Sequence, residues 1–359
     1  IDTNSPIVNS VSSPLNGLFG IGDTIPIEIY FNEKVFVSNI PKLLLQTGEV
    51  NASAQYVTGS GDSILTFHYI VAENELNLNL EYKDNYSLTV YDSYITDIAG
   101  NNADLVLPQP GNIGSLGYNT DINVDGIIPI ISSISASEDN SSISIILSED
   151  VFSTENNSGV LDINDFIVSL TEGVGELHDS IPSVIVGNNN IYQLGVVFSE
   201  PANSTQELII SPKENSIFDS HGNEVKFFEI NNSVSLFDQV APKVLNVNCL
   251  NNDGIYIVGD TLLISVNFSE EIEFTGNLYL ELDVGSDDIG ICEYISGYGT
   301  DSFLFKYIVA KGHQSVNLDY MDINSLVSIN GSIADLSGNS ADLQLPNRGT
   351  LNSLSGNKN

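Results

Sequence analysis

Tryptophan is absent from these 359 residues and methionine occurs once. So little Met argues against an adaptable groove of the sort that accommodates many partners. Basic residues are scarce as well: 10 Lys and Arg stand against 47 Asp and Glu, a formal net charge of -37. Nucleic acids and anionic membrane faces are bound through clustered Lys and Arg, so neither is an expected partner. The imbalance instead favours divalent cations, or solubility at high local concentration. His68, His178, His221 and His313 lie far apart and share no metal spacing of the HExxH kind. Cys249 and Cys292 are too few for a disulfide framework; a single local disulfide and two buried thiols both remain open. No apolar run approaches the ~18–20 residues of a membrane-spanning helix. Neither an initiator Met nor a signal peptide is seen, so the chain reads as processed or as a piece of a longer one.

What is present is a folding composition, 42% hydrophobic and only 16% charged. At roughly 100–150 residues per domain the length suggests two to four domains. Internal repetition narrows this to three. Asp2-Thr-Asn-Ser-Pro6 returns as Asp125-Gly-Ile-Ile-Pro129 and as Asp238-Gln-Val-Ala-Pro242. The first and third units agree throughout: GDT at 22–24 and 259–261, FNEKV (31–35) and FSEEI (268–272), YVTGSG (56–61) and YISGYG (294–299). They continue through FHYIVA (67–72) and FKYIVA (305–310), and LNLEY (78–82) and VNLDY (316–320), to ITDIAGN (95–101) and IADLSGN (333–339). The middle unit keeps only landmarks, LSEDV (147–151) and DSHGN (219–223). The expected domains are 1–124, a divergent 125–237, and 238–359 as a close copy of the first.

Apolar residues alternate along 24–31, 142–147 and 261–268, the period of a half-buried strand. Similar runs recur every 8–15 residues between Asn, Gly, Asp and Pro clusters, and no window carries a helical face of three turns. The expected fold is all-β, with about seven strands in ~115 residues, the size of an immunoglobulin-like Greek-key β-sandwich, three times in tandem. The chain ends where the first unit runs on into Asn123-Val-Asp125, so a fourth domain is expected to follow.

The first and third units match nearly all of the pattern D-x-x-x-P, GDT, F-S-E-x-V, Y-x-S-G-S-G, L-x-F-x-Y-x-V, L-D-Y, D-x-A-G-N and L-P, and so resemble the long Ig-like repeats of giant secreted bacterial surface proteins; the middle unit resembles a sister repeat marked by S-E-D-V-F, D-F and D-x-x-G-N. That family includes cyanobacterial swimming-motility proteins and large adhesins. The resemblance covers the whole chain and implies an extracellular, cell-surface setting in an adhesin, sheath, appendage or filament. It is informative about fold and weak about function, because such repeats are generic building material.

Topology brings the acidic landmarks together. With a strand leaving Pro6 and a second returning over 25–31, Glu33 falls at the domain entrance, beside Asp2. A sixth strand ending at Ile95 and a seventh starting at Ala103 place the DIAGN turn at the same pole. Asp2, Glu33, Asp97 and Asn101 should therefore gather there, as should Asp125, Glu149, Asp219 and Asn223, and Asp238, Glu270, Asp335 and Asn339. Three carboxylates and an amide oxygen suit the 6–8 hard oxygen ligands of Ca²⁺. The competing reading makes D-x-x-G-N a tight turn whose Asp and Asn bond their own backbone.

No catalytic constellation stands out in so acidic a chain, and an enzyme is not expected. Two functions fit: a spacer or assembly subunit rigidified by Ca²⁺, or an adhesin module binding glycans or proteins through its loops. A binding tip should carry a loop insertion absent from its sister repeat; the first and third units differ by only two residues, which favours the spacer. The partners implied are neighbouring Ig-like domains of the same chain, identical chains in a filament, or a surface ligand.

Overall fold

The computed structural model describes residues 2–91, 94–226, 231–285 and 288–357. It is nearly all β, 46% strand and 3% helix, with antiparallel sheets packed as β-sandwich-like domains. The chain forms two compact units. One comprises residues 1–171, 177–197 and 207–234; the other comprises 172–176, 198–206 and 235–359.

In the first unit, the opening repeat builds a sheet whose path runs Val8–Ser12, Thr24–Val37, Asp62–Ile70, Ser53–Thr58, Lys42–Gln46, Glu81–Tyr82. Alternation decides which face is buried. Ile25, Ile27 and Ile29 pair with Tyr69, Phe67 and Leu65, and all six side chains are buried while their neighbours along the strands are not. Each such burial contributes about 1.5–3 kcal/mol. The middle repeat places Ile131–Ala136, Ser142–Leu147, Ile191–Gly195 and Val184–Asn188 in one sheet. It pairs Phe166–Leu170 with Glu207–Pro212 in another. Phe166 from the second meets Tyr192 from the first, ring centroids 6.4 Å apart.

In the second unit the third repeat has the same sheet path: Val244–Cys249, Thr261–Phe274, Thr300–Ile308, Ile289–Ser296, Asn277–Asp283, Asp319–Tyr320. Its register matches as well, with Leu262, Ile264 and Val266 opposite Tyr307, Phe305 and Phe303. Cys249 and Cys292 are free thiols, so the disulfide alternative is not realised here. Cys292 lies fully inside the core, and burial, followed by the neighbouring Cys249, pushes its thiol well above the ordinary range.

Two details differ from the sequence expectation. The strand expected to end at Phe31 runs on to Val37. Its pairing with Asp62–Ile70 slips between Tyr30 and Val35, after which Phe36 and Val37 pair with Thr96 and Ile95. One strand thus serves two ladders, and the third repeat repeats this, with a slip between Asn267 and Ile272. The seventh strand expected from Ala103 is reduced to bridges, a parallel one between Asp104 and Ile7 and an antiparallel one between Asn102 and Thr96.

Candidate metal centres

The slip in the long strand is what aims the glutamate. A β-bulge leaves extra residues on one strand and bends it, so side chains there leave the regular alternation. Glu33 lies inside the irregular stretch of the first repeat and Glu270 inside that of the third. Next to them stands the D-x-x-G-N turn. Asp97 N–H donates to Asn101 O at 3.0 Å, and Gly100 closes the turn with φ +90°, a left-handed conformation that glycine adopts without a Cβ penalty. Gly222 and Gly338 hold the same conformation, at φ +82° and +93°.

Each aspartate heading such a turn is buried: Asp97, Asp219 and Asp335 are 3%, 0% and 7% exposed. Its two oxygens are gripped by one asparagine. Asn101 donates from its backbone to Asp97 Oδ1 at 2.8 Å and from its amide to Oδ2 at 2.6 Å. Asn223 grips Asp219 at 2.8 and 2.8 Å, and Asn339 grips Asp335 at 2.8 and 2.8 Å. The same amides reach the carbonyls of the entrance aspartates: Asn101 to Asp2 at 3.3 Å, Asn223 to Asp125 at 2.8 Å, Asn339 to Asp238 at 3.0 Å. Each asparagine therefore orients a carboxylate and ties the incoming strand to the turn. In the first and third repeats its side-chain amide oxygen is left to serve as a ligand. In the middle repeat Asn223 Oδ1 already accepts from Ile21 N–H at 2.7 Å.

The entrance aspartates follow one plan too. Asp2, Asp125 and Asp238 each accept, through Oδ1, the backbone N–H two residues on, at 3.1, 2.8 and 3.0 Å. The outcome is convergence. Ligand atoms of Asp2, Glu33 and Asp97 all lie within 4.8 Å of one another, as do those of Asp238, Glu270 and Asp335. Asp104 and Asp342, each three residues beyond the asparagine of its turn, accept from Val106 and Gln344 N–H in local turns.

The middle repeat departs from its sisters. Its tight group is Asp125, Asp219 and His221. His221 Nδ1 lies 3.6 Å from Asp125 Oδ2, and Nε2 lies 3.2 Å from Asn123 Oδ1. Glu149 stands outside that group but within its field. The imidazole was missed because no histidine spacing points to it; the available signal was positional, since His221 occupies the turn position of Ala99 and Ser337.

Electrostatically, Glu149, Asp219 and Glu270 are held against their own charge. Burial, then Asp219, Asp125 and Asp150, raises Glu149 from its ordinary 4.5 to about 7. Burial also raises Asp219, with Asp125 adding to it and the Asn223 hydrogen bonds opposing. Glu270 is raised by burial and then by Asp238 and Asp335. At Asp97 burial pushes upward but the bonds from Asn101, Gly100 and Ala99 outweigh it, and the net direction is down.

A pH profile in chelator follows. Between 4.5 and about 7 the folded chain keeps a proton on Glu149 that the unfolded chain has lost, so the native state binds more protons. Stability should fall as pH rises through that window. Urea midpoints at pH 5 and 7.5 check this; a profile that is flat or rises would contradict it.

Within the first unit the middle repeat's turn is pressed against the first repeat. A Cβ on Gly20 would lie 2.3 Å from the His221 carbonyl oxygen and 2.8 Å from Asn223 Oδ1. Gly20→Ala should therefore destabilise this junction by about 1–3 kcal/mol, the usual cost of overpacking. Chemical denaturation of the variant beside the parent measures it, and an unchanged midpoint would show that the junction yields freely.

No protein-family model and no curated protein matches this chain.

Proposed function

We propose that this chain is a structural segment of a large extracellular protein, a run of β-sandwich repeats that serves as a calcium-stiffened spacer or assembly subunit. One observation carries the reading. The first and third repeats, far apart in sequence, rebuild the same Asp–Glu–Asp cluster from the same three elements. Hard carboxylate oxygens, two of them on buried aspartates, are the donors Ca²⁺ takes. They are poor partners for one another without a cation. The place of Asp125 supports a stiffening role for such an ion. It ends the strand Ile122–Asp125, which pairs within the first repeat, and also supplies a carboxylate to the middle repeat's cluster. An ion there would join the linker to both repeats.

Calorimetric titration of Ca²⁺ into chelator-stripped chain tests this. The expected result is saturable binding that loses one site in Glu33→Gln and one in Glu270→Gln, with weaker binding of Mg²⁺, which demands a tighter octahedral shell. Absence of binding at millimolar Ca²⁺ would leave the turns as turns and remove the basis for a calcium-stiffened spacer.

A further inference from the structure

In the middle repeat the strand Val184–Asn188 ends its sheet. It pairs with Ile191–Gly195 on one side, and among the described residues no strand pairs with its other side. The sister repeats differ. Ser53–Thr58 is held between Asp62–Ile70 and Lys42–Gln46, and Ile289–Ser296 between Thr300–Ile308 and Asn277–Asp283. Phe166–Leu170 has the place in chain order of Lys42–Gln46, but it pairs with Glu207–Pro212 instead. Val184–Asn188 is thus left with a row of backbone groups along an open edge.

Side chains single this edge out as well. Val184 and Val186 are 51% and 62% exposed. Register carries the same outward face across the sheet: Val186 lies opposite Gln193, Gln193 opposite Ser144, and Ile191 opposite Ile146, all of them exposed. None of these residues is charged, and neither is any residue from 180 to 199, in a chain where 16% are. The matching faces of the sister repeats do carry charge. The first has Glu28 and His68, and the third has the Lys306–Glu293 ion pair at 3.6 Å. Edge strands ordinarily resist pairing through Lys or another charge, and this one has neither.

We propose that Val184–Asn188 is a self-association edge, where a second copy of this chain adds its own Val184–Asn188 antiparallel about a two-fold axis. Such pairing satisfies backbone N–H and C=O groups of both edges and joins two four-stranded sheets into one continuous sheet. Charge commits the edge to that occupant. Two copies of net charge -37 repel wherever their acidic surfaces meet, and this face is one they can bring together without opposing like charges. A basic partner would gain more by docking on the acids elsewhere. The contact goes beyond the assembly-subunit reading by naming the face and the partner, and it needs no ion.

Sedimentation equilibrium of the full chain in chelator tests this, from about 10 µM to 1 mM, with about 0.5 M sodium chloride to screen the net charge. Working without calcium keeps the outcome separate from that of the calcium reading. The expected result is a reversible dimer with a dissociation constant on the order of 100 µM, since one short edge buries less than a standard interface. Val186→Lys sets like charges close together across the pair and should weaken the dimer by about tenfold or more, although it lowers the overall repulsion. Val57→Lys makes the same change of charge at an exposed position of the matching strand in the first repeat, and should leave the dimer intact. Unfolding midpoints check that both variants fold. In the parent, amide exchange across 184–188 should slow as concentration rises. A chain that stays monomeric throughout would overturn the proposal and leave the edge to a foreign strand or to none. So would a dimer indifferent to Val186→Lys, or one weakened equally by Val57→Lys.

Discussion

At fixed ionic strength, millimolar calcium should raise the unfolding midpoint of this chain by roughly 10 °C for each repeat whose cluster fills. A ligand at a hundred times its dissociation constant stabilises the native state by about 2.7 kcal/mol. A domain of ~115 residues gains roughly 3–6 °C for each kcal/mol. Salt alone is the competing cause, because a chain of net charge -37 is relieved of self-repulsion by any electrolyte. Sodium chloride at matched ionic strength separates the two: screening acts equally, coordination does not.

The sign of one substitution separates them further. Glu270 is raised by burial and by the charges of Asp238 and Asp335, so in chelator its ionised form is unfavourable. Glu270→Gln removes that repulsion and should leave the third repeat as stable or slightly more stable at pH 7.5. With Ca²⁺ the same variant should be the less stable, having lost a charged ligand. Reversal of sign between the two buffers is the signature of a cation site. A variant that is destabilised equally in both would show that Glu270 serves the fold alone.

Much of this arrangement was legible in the sequence because it rests on period-2 alternation and on repetition. Ile25, Ile27 and Ile29 announce their strand, and agreement between the first and third units is mirrored in identical sheet paths. The meeting of Asp2, Glu33 and Asp97 could be inferred from strand direction. What escaped has physical reasons. Alternation stops at Asn32-Glu33-Lys34, which in sequence looks like a strand end, whereas the backbone slips and continues. The D-x-x-G-N asparagine reads in sequence only as a ligand, and its second role, as the clamp on the aspartate, emerges from hydrogen bonds that the sequence does not display. The acid of LNLEY and VNLDY registers only as a landmark, since its partners lie about thirty residues downstream.

That acid carries the second large effect. Asp319 is 2% exposed, and its carboxylate accepts from Tyr320 N–H at 3.0 Å, Gly349 N–H at 3.3 Å and Ser355 Oγ–H at 2.5 Å. Glu81 does the same in the first repeat, through Tyr82, Gly111 and Gly117 N–H at 3.0, 3.1 and 3.0 Å. The tyrosine that follows is buried in both repeats and donates its hydroxyl to the carbonyl of Pro108 or Pro346. Acid and tyrosine together fasten the closing segment of each repeat to its sheet. In Asp319→Ala the donors lose a charged acceptor, at about 1–3 kcal/mol for each one left buried and unpaired. Water reaching the outer donors offsets part of this, so a net loss of roughly 3 kcal/mol is expected, against the ~5–15 kcal/mol that holds a domain folded. Asp319→Glu, the residue its sister repeat uses, should restore most of the loss when combined with Ser355→Gly. Both cysteines belong to the third repeat, so trapping of the buried Cys292 thiol reads that repeat alone. Asp319→Ala should label far faster than the parent under native conditions, and an unchanged labelling rate would show that the closing segment is held by the tyrosine alone.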